Sequence, residues 1–193
     1  KNKNSKKLKG KSLFKIAIQE AKKIKRIDDL IFSSDSVSFN LAAKKLGCNV
    51  PFRRPKNYST SEVSLAEVIF YTLKKMNIKV GTMILLQPTS PLRKAKHVNN
   101  ALDFFLKNNL DSCFSAMKIQ DIEKYYLEKN NCFHKISQNL IKVNGAIYIF
   151  KIDWFLKSKK LISPKSQPFF MKNEDSLDID TNFDLKLAKF MIK

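Results

Sequence analysis

The stretch MILLQPTSPLR, residues 83–93, decides the fold. Met83 to Leu86 form an apolar run of strand length, which breaks at once into a polar segment with prolines at 88 and 91. In an open α/β sheet, ligands gather at the carboxyl ends of strands. Gln87, Thr89, Ser90 and Arg93 are therefore expected to offer donors and acceptors over a site, on a backbone that the two prolines stiffen. A strand-to-helix turn, with Thr89 or Ser90 capping a helix from Lys94, accounts for the same residues. The stretch alone leaves both readings open.

Working outward, apolar residues at 13, 14, 16, 17, 18, 21 and 24 put a wide greasy face on a helix over 12–25. Residues 30–32 read as a short strand, 37–46 as a helix closed by Gly47, and 48–52 as another strand. Helices are predicted over 64–76 and 94–107, with the strand 82–86 between them. Residues 121–142 break this rhythm with a hairpin-like insertion. The sheet resumes at 145–150, a short helix covers 154–156, and an amphipathic helix over 184–192 closes the chain. Short apolar strands alternating with amphipathic helices predict a three-layer α/β/α domain with a mostly parallel sheet.

The 193 residues and 44% apolar content suit one domain over 1–193. No apolar run approaches the roughly 20 residues of a membrane span, and the start lacks the apolar core of a secretory signal, so a soluble cytoplasmic protein is expected. Cys48, Cys113 and Cys132 are odd in number and widely spaced, which predicts reduced packing residues. The net charge of +20 suggests an anionic partner. Only Arg26, Arg53, Arg54 and Arg93 are arginines among 37 basic residues, however, and bidentate phosphate and base recognition favours Arg. A nucleic-acid partner is accordingly not expected.

Before the last helix stands DSLDIDT, residues 175–181. If extended, it aims Asp178 and Asp180 at one face and Ile179 into the core, and two such carboxylates make a hard-oxygen site suited to Mg²⁺. Helix capping by Thr181 and Asp184 explains part of this segment but leaves Asp178 without a role. The basic opening, KNKNSKKLKGK, reads as a solvated tail, although lysines beside a helix N-terminus also attract phosphate.

Together LLQPTSPLR, NGAIYIF and DSLDIDTNFDLKLA resemble the acylneuraminate cytidylyltransferases, the CMP-sialic acid synthetases. SSDS (33–36), the Arg54-Pro55 loop and the KN…KLKGKSL opening fall where that family has counterparts, so the resemblance spans nearly the whole chain. It implies a nucleotide-diphospho-sugar-transferase-like (GT-A-like) fold and a homodimer whose small inserted arm, here about 118–143, is the dimerisation element. It implies transfer of CMP from CTP to a nonulosonic acid with Mg²⁺, releasing pyrophosphate. By position it assigns Lys3 and Asn4 to the nucleotide, with Lys3 also catalytic, and Arg54 and Ser64 to the cytidine. Gln87, Asn144 and Tyr148 fall to the acid sugar, and Asp178 and Asp180 to catalysis and the metal.

The family opens with an apolar strand and an A-R-x-G-S-K-G-like loop, and this chain begins after both. The resemblance thus implies a missing central strand and phosphate cradle, and a chain poorly stable and nearly inactive by itself. Around residues 137–142 the family's arginine and proline are replaced by Ser137 and Ile141, which leaves Lys142 as the cation for the sugar carboxylate. Sialic, legionaminic and pseudaminic acids stay open as substrates. Rival readings are a cytidylyltransferase for Kdo or another sugar, a basic nucleic-acid-binding domain, and an inactive scaffold.

Overall fold

The computed structural model describes residues 5–120, 126–129, 132–135 and 140–192. The chain starts with a small antiparallel hairpin, β1 (Lys7–Leu8) and β2 (Lys11–Ser12), where a solvated tail was expected. Lys9 and Gly10 at its turn both have positive φ, 46° and 75°, as a type I′ turn requires. Leu8 is thereby buried with Leu13, Ile179 and Ala188, fastening the opening to the end of the chain.

The helices follow the apolar periodicity. They are α1 (Leu13–Ala21), α2 (Val37–Lys45), α3 (Leu65–Lys75), α4 (Ala95–Lys107), α5 (Ile152–Ser158) and α6 (Asn182–Met191). Ser36 caps α2 by accepting from the Phe39 N–H, and Gly47 follows it at φ 83°. Neither Thr89 nor Ser90 caps α4. Its N-cap is Lys94, and the Ala95 N–H donates across to Glu20 Oε2 of α1 at 3.0 Å.

The sheet contains β3 (Thr82–Leu85), β4 (Ser112–Lys118), β7 (Ile141–Lys151) and β8 (Gln167–Phe170), in the order β3-β7-β4-β8. β5 (Tyr126–Lys129) and β6 (Cys132–Lys135) form the antiparallel hairpin expected inside the insertion. β4 and β8 pair parallel, but β7 runs antiparallel to both β3 and β4, so the sheet is mixed and not mostly parallel by its pairings. The reason lies in the connection. β7 follows β4 through the β5–β6 excursion with no helical crossover, so the chain returns in the opposite direction. β3, β4 and β8 keep one direction, and helices cover both faces of the three-layer α/β domain.

The β4–β7 ladder is interrupted. Between the pairs Phe114↔Tyr148 and Ala116↔Val143, Ser115 alone on β4 is set against residues 144–147 of β7. Such a bulge lifts residues 144–147 out of regular pairing and toward the loop after β3.

β3 combines two incompatible characters. Ile84 and Leu86 pack on the α4 core while Met83 and Leu85 pack on the α3–α5 core, so both faces are covered as in a central strand. By pairing, though, β3 is an edge among the described residues. Beyond its free edge lies a cavity of about 540 Å³, walled by Phe14 and Ile18 of α1, by Leu30 and Phe32, and by Ile84 and Leu86. On its far side the predicted strands 30–32 and 48–52 shrink to a lone parallel bridge, Ile31↔Asn49. The space has the character of a strand slot: one unpaired ladder edge, apolar walls, and a helix overhead. Burying two or three apolar side chains there is worth roughly 1.5–3 kcal/mol each. A chain extended upstream by an apolar strand is thus expected to melt about 10 °C or more above the chain as it stands. Equal melting temperatures would remove the strand-slot reading.

Candidate active site

Three segments meet at the carboxyl end of β3. The first is the 86–93 loop. The second is the bulge at 144–147. The third is the extended 176–180 stretch, which is tied to the loop by the Ile179 N–H donating to Thr89 O at 2.8 Å. Ile179 is fully buried, as its place between two carboxylates predicts, and it fixes the depth at which Asp178 and Asp180 sit.

Gly145 is where these segments touch. Its φ is +68°, and a Cβ there would lie 2.6 Å from Gln87 Oε1 and 3.8 Å from Asp178 Oδ2. The missing side chain is therefore the gap that lets the Gln87 amide and the Asp178 carboxylate approach the same strand. Both residues are half-buried, as is Tyr148 farther along β7. Burial, and then the Asp178 charge, push the Tyr148 phenol above its ordinary pKa. Tyr148 thus stays protonated at neutral pH, which leaves its hydroxyl with a proton to donate.

Asp178 Oδ1 is buried and has no hydrogen-bond partner among the described residues. An orphaned carboxylate oxygen is costly to bury, and a hard cation would satisfy it. Asp180 is exposed, and its N–H donates to Asp184 Oδ2 at 3.0 Å. Asp184 belongs to the α6 cap, exchanging hydrogen bonds with Thr181, and these hold its carboxyl below the usual range. Capping and carboxylate presentation thus coexist in one segment. No group of three or more metal-ligating side chains forms among the described residues. Among the described residues Asp178 and Asp180 are the carboxylates here that could hold Mg²⁺, an ion that commonly keeps waters and takes substrate phosphates as its other ligands.

Asn144, assigned by resemblance to the acid sugar, faces inward. It is 3% exposed, its Oδ1 accepts from Ser115 Oγ and from the Ala146 N–H, and its Nδ2 donates to Ser176 Oγ at 2.9 Å. With its amide engaged at both ends, it ties β4, the bulge and the 176–180 stretch together and is a scaffold of the site. Ser90 and Arg93, expected to face a ligand, are each 1% exposed. Arg93 Nη1 donates to Gln87 O and to Ala146 O, both at 2.9 Å.

Arg54 is half-buried, bonded through Nε to Ser59 Oγ at 3.0 Å, and burial lowers its pKa against the pull of Asp35. Ser64 caps α3 in a capping box, its hydroxyl accepting from the Glu67 N–H and donating to Glu67 Oε2. That role explains Ser64 without a nucleotide. Lys142 is exposed at the start of β7, close enough to Asp184 for its charge to lower that carboxyl further. Lys3 and Asn4 lie outside the described residues.

Ser115 and Ser176 went unnoticed in the sequence. A serine within an apolar strand, or beside an acidic run, carries no spacing signal, and only the bulge makes sense of Ser115. Gly145, inside the quoted NGAIYIF motif, could have been singled out as a glycine within a strand, a common mark of a bulge or a close backbone approach.

No helix among the described residues is long and apolar enough to cross a membrane. The family model described as Cytidylyltransferase matches residues 1–188. The CMP-N,N'-diacetyllegionaminic acid synthase of Legionella pneumophila is 25% identical over 216 residues, covering 99% of this chain and 89% of that protein. The pseudaminic acid cytidylyltransferase of Campylobacter jejuni (serotype O:2) is 28% identical over 200 residues, covering 95% and 86%. Among solved structures, a CMP:2-keto-3-deoxy-manno-octonic acid synthetase complexed with CTP superposes with a TM-score of 0.71 at 13% identity, covering 98% of this chain and 91% of that one. The mixed sheet, the loop after β3 and the match along nearly the whole chain agree: this protein belongs to the cytidylyltransferase family.

Proposed function

We propose that the protein transfers CMP from CTP to the anomeric hydroxyl of a nonulosonic acid of the sialic, legionaminic or pseudaminic type. The observation that carries this reading is the meeting of Gln87, Gly145 and Asp178 at the end of β3. It sets an amide suited to a polyhydroxylated acid beside a carboxylate suited to a phosphate-bound cation. The two relatives named above act on acids of this type.

In the reaction the sugar hydroxyl oxygen bonds to the α-phosphorus of CTP as the bond to pyrophosphate breaks, and the hydroxyl proton passes to solvent water. Such transfer depends on positioning and charge neutralisation more than on covalent catalysis. Asp178 and Asp180 would hold Mg²⁺, which polarises the α-phosphate and neutralises charge on the departing pyrophosphate. Gln87 orients the sugar from the loop, and Tyr148 donates to it from β7. Lys142, exposed and close enough to Asp184 to act on its charge, is the candidate cation for the sugar carboxylate, and Lys3 and Arg54 are assigned to the nucleotide. The insertion serves as the dimer arm, supported by the exposed Leu127, Ile141 and Val143 along it.

The direct test is pyrophosphate release with CTP, Mg²⁺ and a panel of sialic, legionaminic, pseudaminic and Kdo acids, using the chain with and without an upstream apolar strand. Release with one nonulosonic acid, abolished by chelation, is expected. Release with Kdo alone would replace this substrate reading, and CTP binding without turnover on any acid would remove it. Asp180→Ala and Asp178→Ala are each expected to lower turnover at least about 100-fold, as loss of a key electrostatic group does. Near-normal rates would remove the metal role. Sedimentation should give twice the monomer mass of 22.3 kDa, falling to one when Leu127 is replaced by Asp.

A further inference from the structure

Arg93 is the buried cation that the mechanism leaves unused. One of its nitrogens, Nη1, joins the carbonyl of Gln87 to the carbonyl of Ala146, each at 2.9 Å. Gln87 is thus set from two directions. Its main chain is fastened to the bulge by Arg93, while its side-chain amide rests against the bare Cα of Gly145, one residue away from the second anchor. No carboxylate lies within ion-pair distance of Arg93 among the described residues. Nε has no hydrogen-bond partner among them either. Burial depresses its pKa to about 10 in spite of the favourable Glu20 charge. A Met or Leu would fill the same space without desolvating a cation, but neither could join two carbonyls.

We propose that Arg93 is a positioning residue for the acid-sugar side of the site, acting through Gln87 by holding the 86–93 loop against the bulge of β7. The inference rests on the reading of Gln87 given above. Arg93 reaches no reacting atom, so its influence must pass through the residue it places. A displacement of Gln87 on the order of 1 Å is enough to cost a substantial factor in rate.

The test is a cycle of Arg93→Lys, Gln87→Ala and the double variant, with melting temperature checked and KM measured separately for CTP and for the accepted acid. Lys keeps the charge but places its donors differently from the rigid guanidinium fork. Arg93→Lys is expected to raise the acid KM about 10-fold or more while the CTP KM stays within about 2-fold. In the Gln87→Ala background it should add less than about 2-fold, because coupled residues are non-additive. Equal effects in both backgrounds, or parallel rises in both KM values, overturn the proposal and make Arg93 a general stability residue. Should Arg93→Lys not fold, Arg93→Gln takes its place, and failure of both to fold overturns the proposal too. An unchanged acid KM in Gln87→Ala alone overturns the placement of the sugar at Gln87, and this proposal with it, whatever the CTP and turnover measurements show for the family activity.

Discussion

Everything at the site depends on how four residues of β7 leave the ladder without stranding their backbone groups. Buried N–H and C=O groups need partners, and the bulge finds them in side chains. The Ile147 N–H donates to Ser115 Oγ at 2.8 Å, the Ala146 N–H to Asn144 Oδ1 at 3.1 Å, and Ala146 O accepts from Arg93. Once those bonds are made, the bulge is a rigid ledge, and Gly145 on it can take a positive φ and face the loop and the acidic stretch together. A regular β4–β7 ladder would have kept residues 144–147 in the sheet.

The same polar cluster links the ledge to the carboxylates. Asn144 Nδ2 reaches Ser176 Oγ, and Ser176 Oγ donates onward to Lys172 O at 2.7 Å. Asp178 follows two residues later, before the fully buried Ile179. One buried amide therefore ties the bulge beside the 86–93 loop to the stretch that carries Asp178 and Asp180. Fully satisfied networks of this kind specify a unique geometry, because each member left unpaired would be costly. The positive charge is organised differently: among the described residues no lysine is buried, so their lysine charge lies outside the core.

Legibility followed the signal each element carries. α1, α3 and α4 were readable because a 3.6-residue apolar period survives any detail of packing. The hairpin at 126–135 was readable from its polar turn between apolar pairs. β4 and β8 were not. β4 is covered on both faces and so shows no alternation, and β8, QPFF, contains a proline that only its edge position tolerates. The strands at 30–32 and 48–52 have the right composition but form a single bridge, since pairing needs a neighbour as well as a propensity.

By itself the sequence determined the class of fold, the place of the loop after β3, and the burial of Ile179 between two acidic residues, because strand ends, prolines and a two-residue spacing are local facts. The motifs also carried the family. The tertiary structure alone decided that Asn144 and Arg93 face inward, that β7 runs against its neighbours, and that Gly145 is the gap between Gln87 and Asp178. Those outcomes depend on which groups a bulge leaves unpaired and which side chains from distant strands reach them, and no spacing along one chain encodes that.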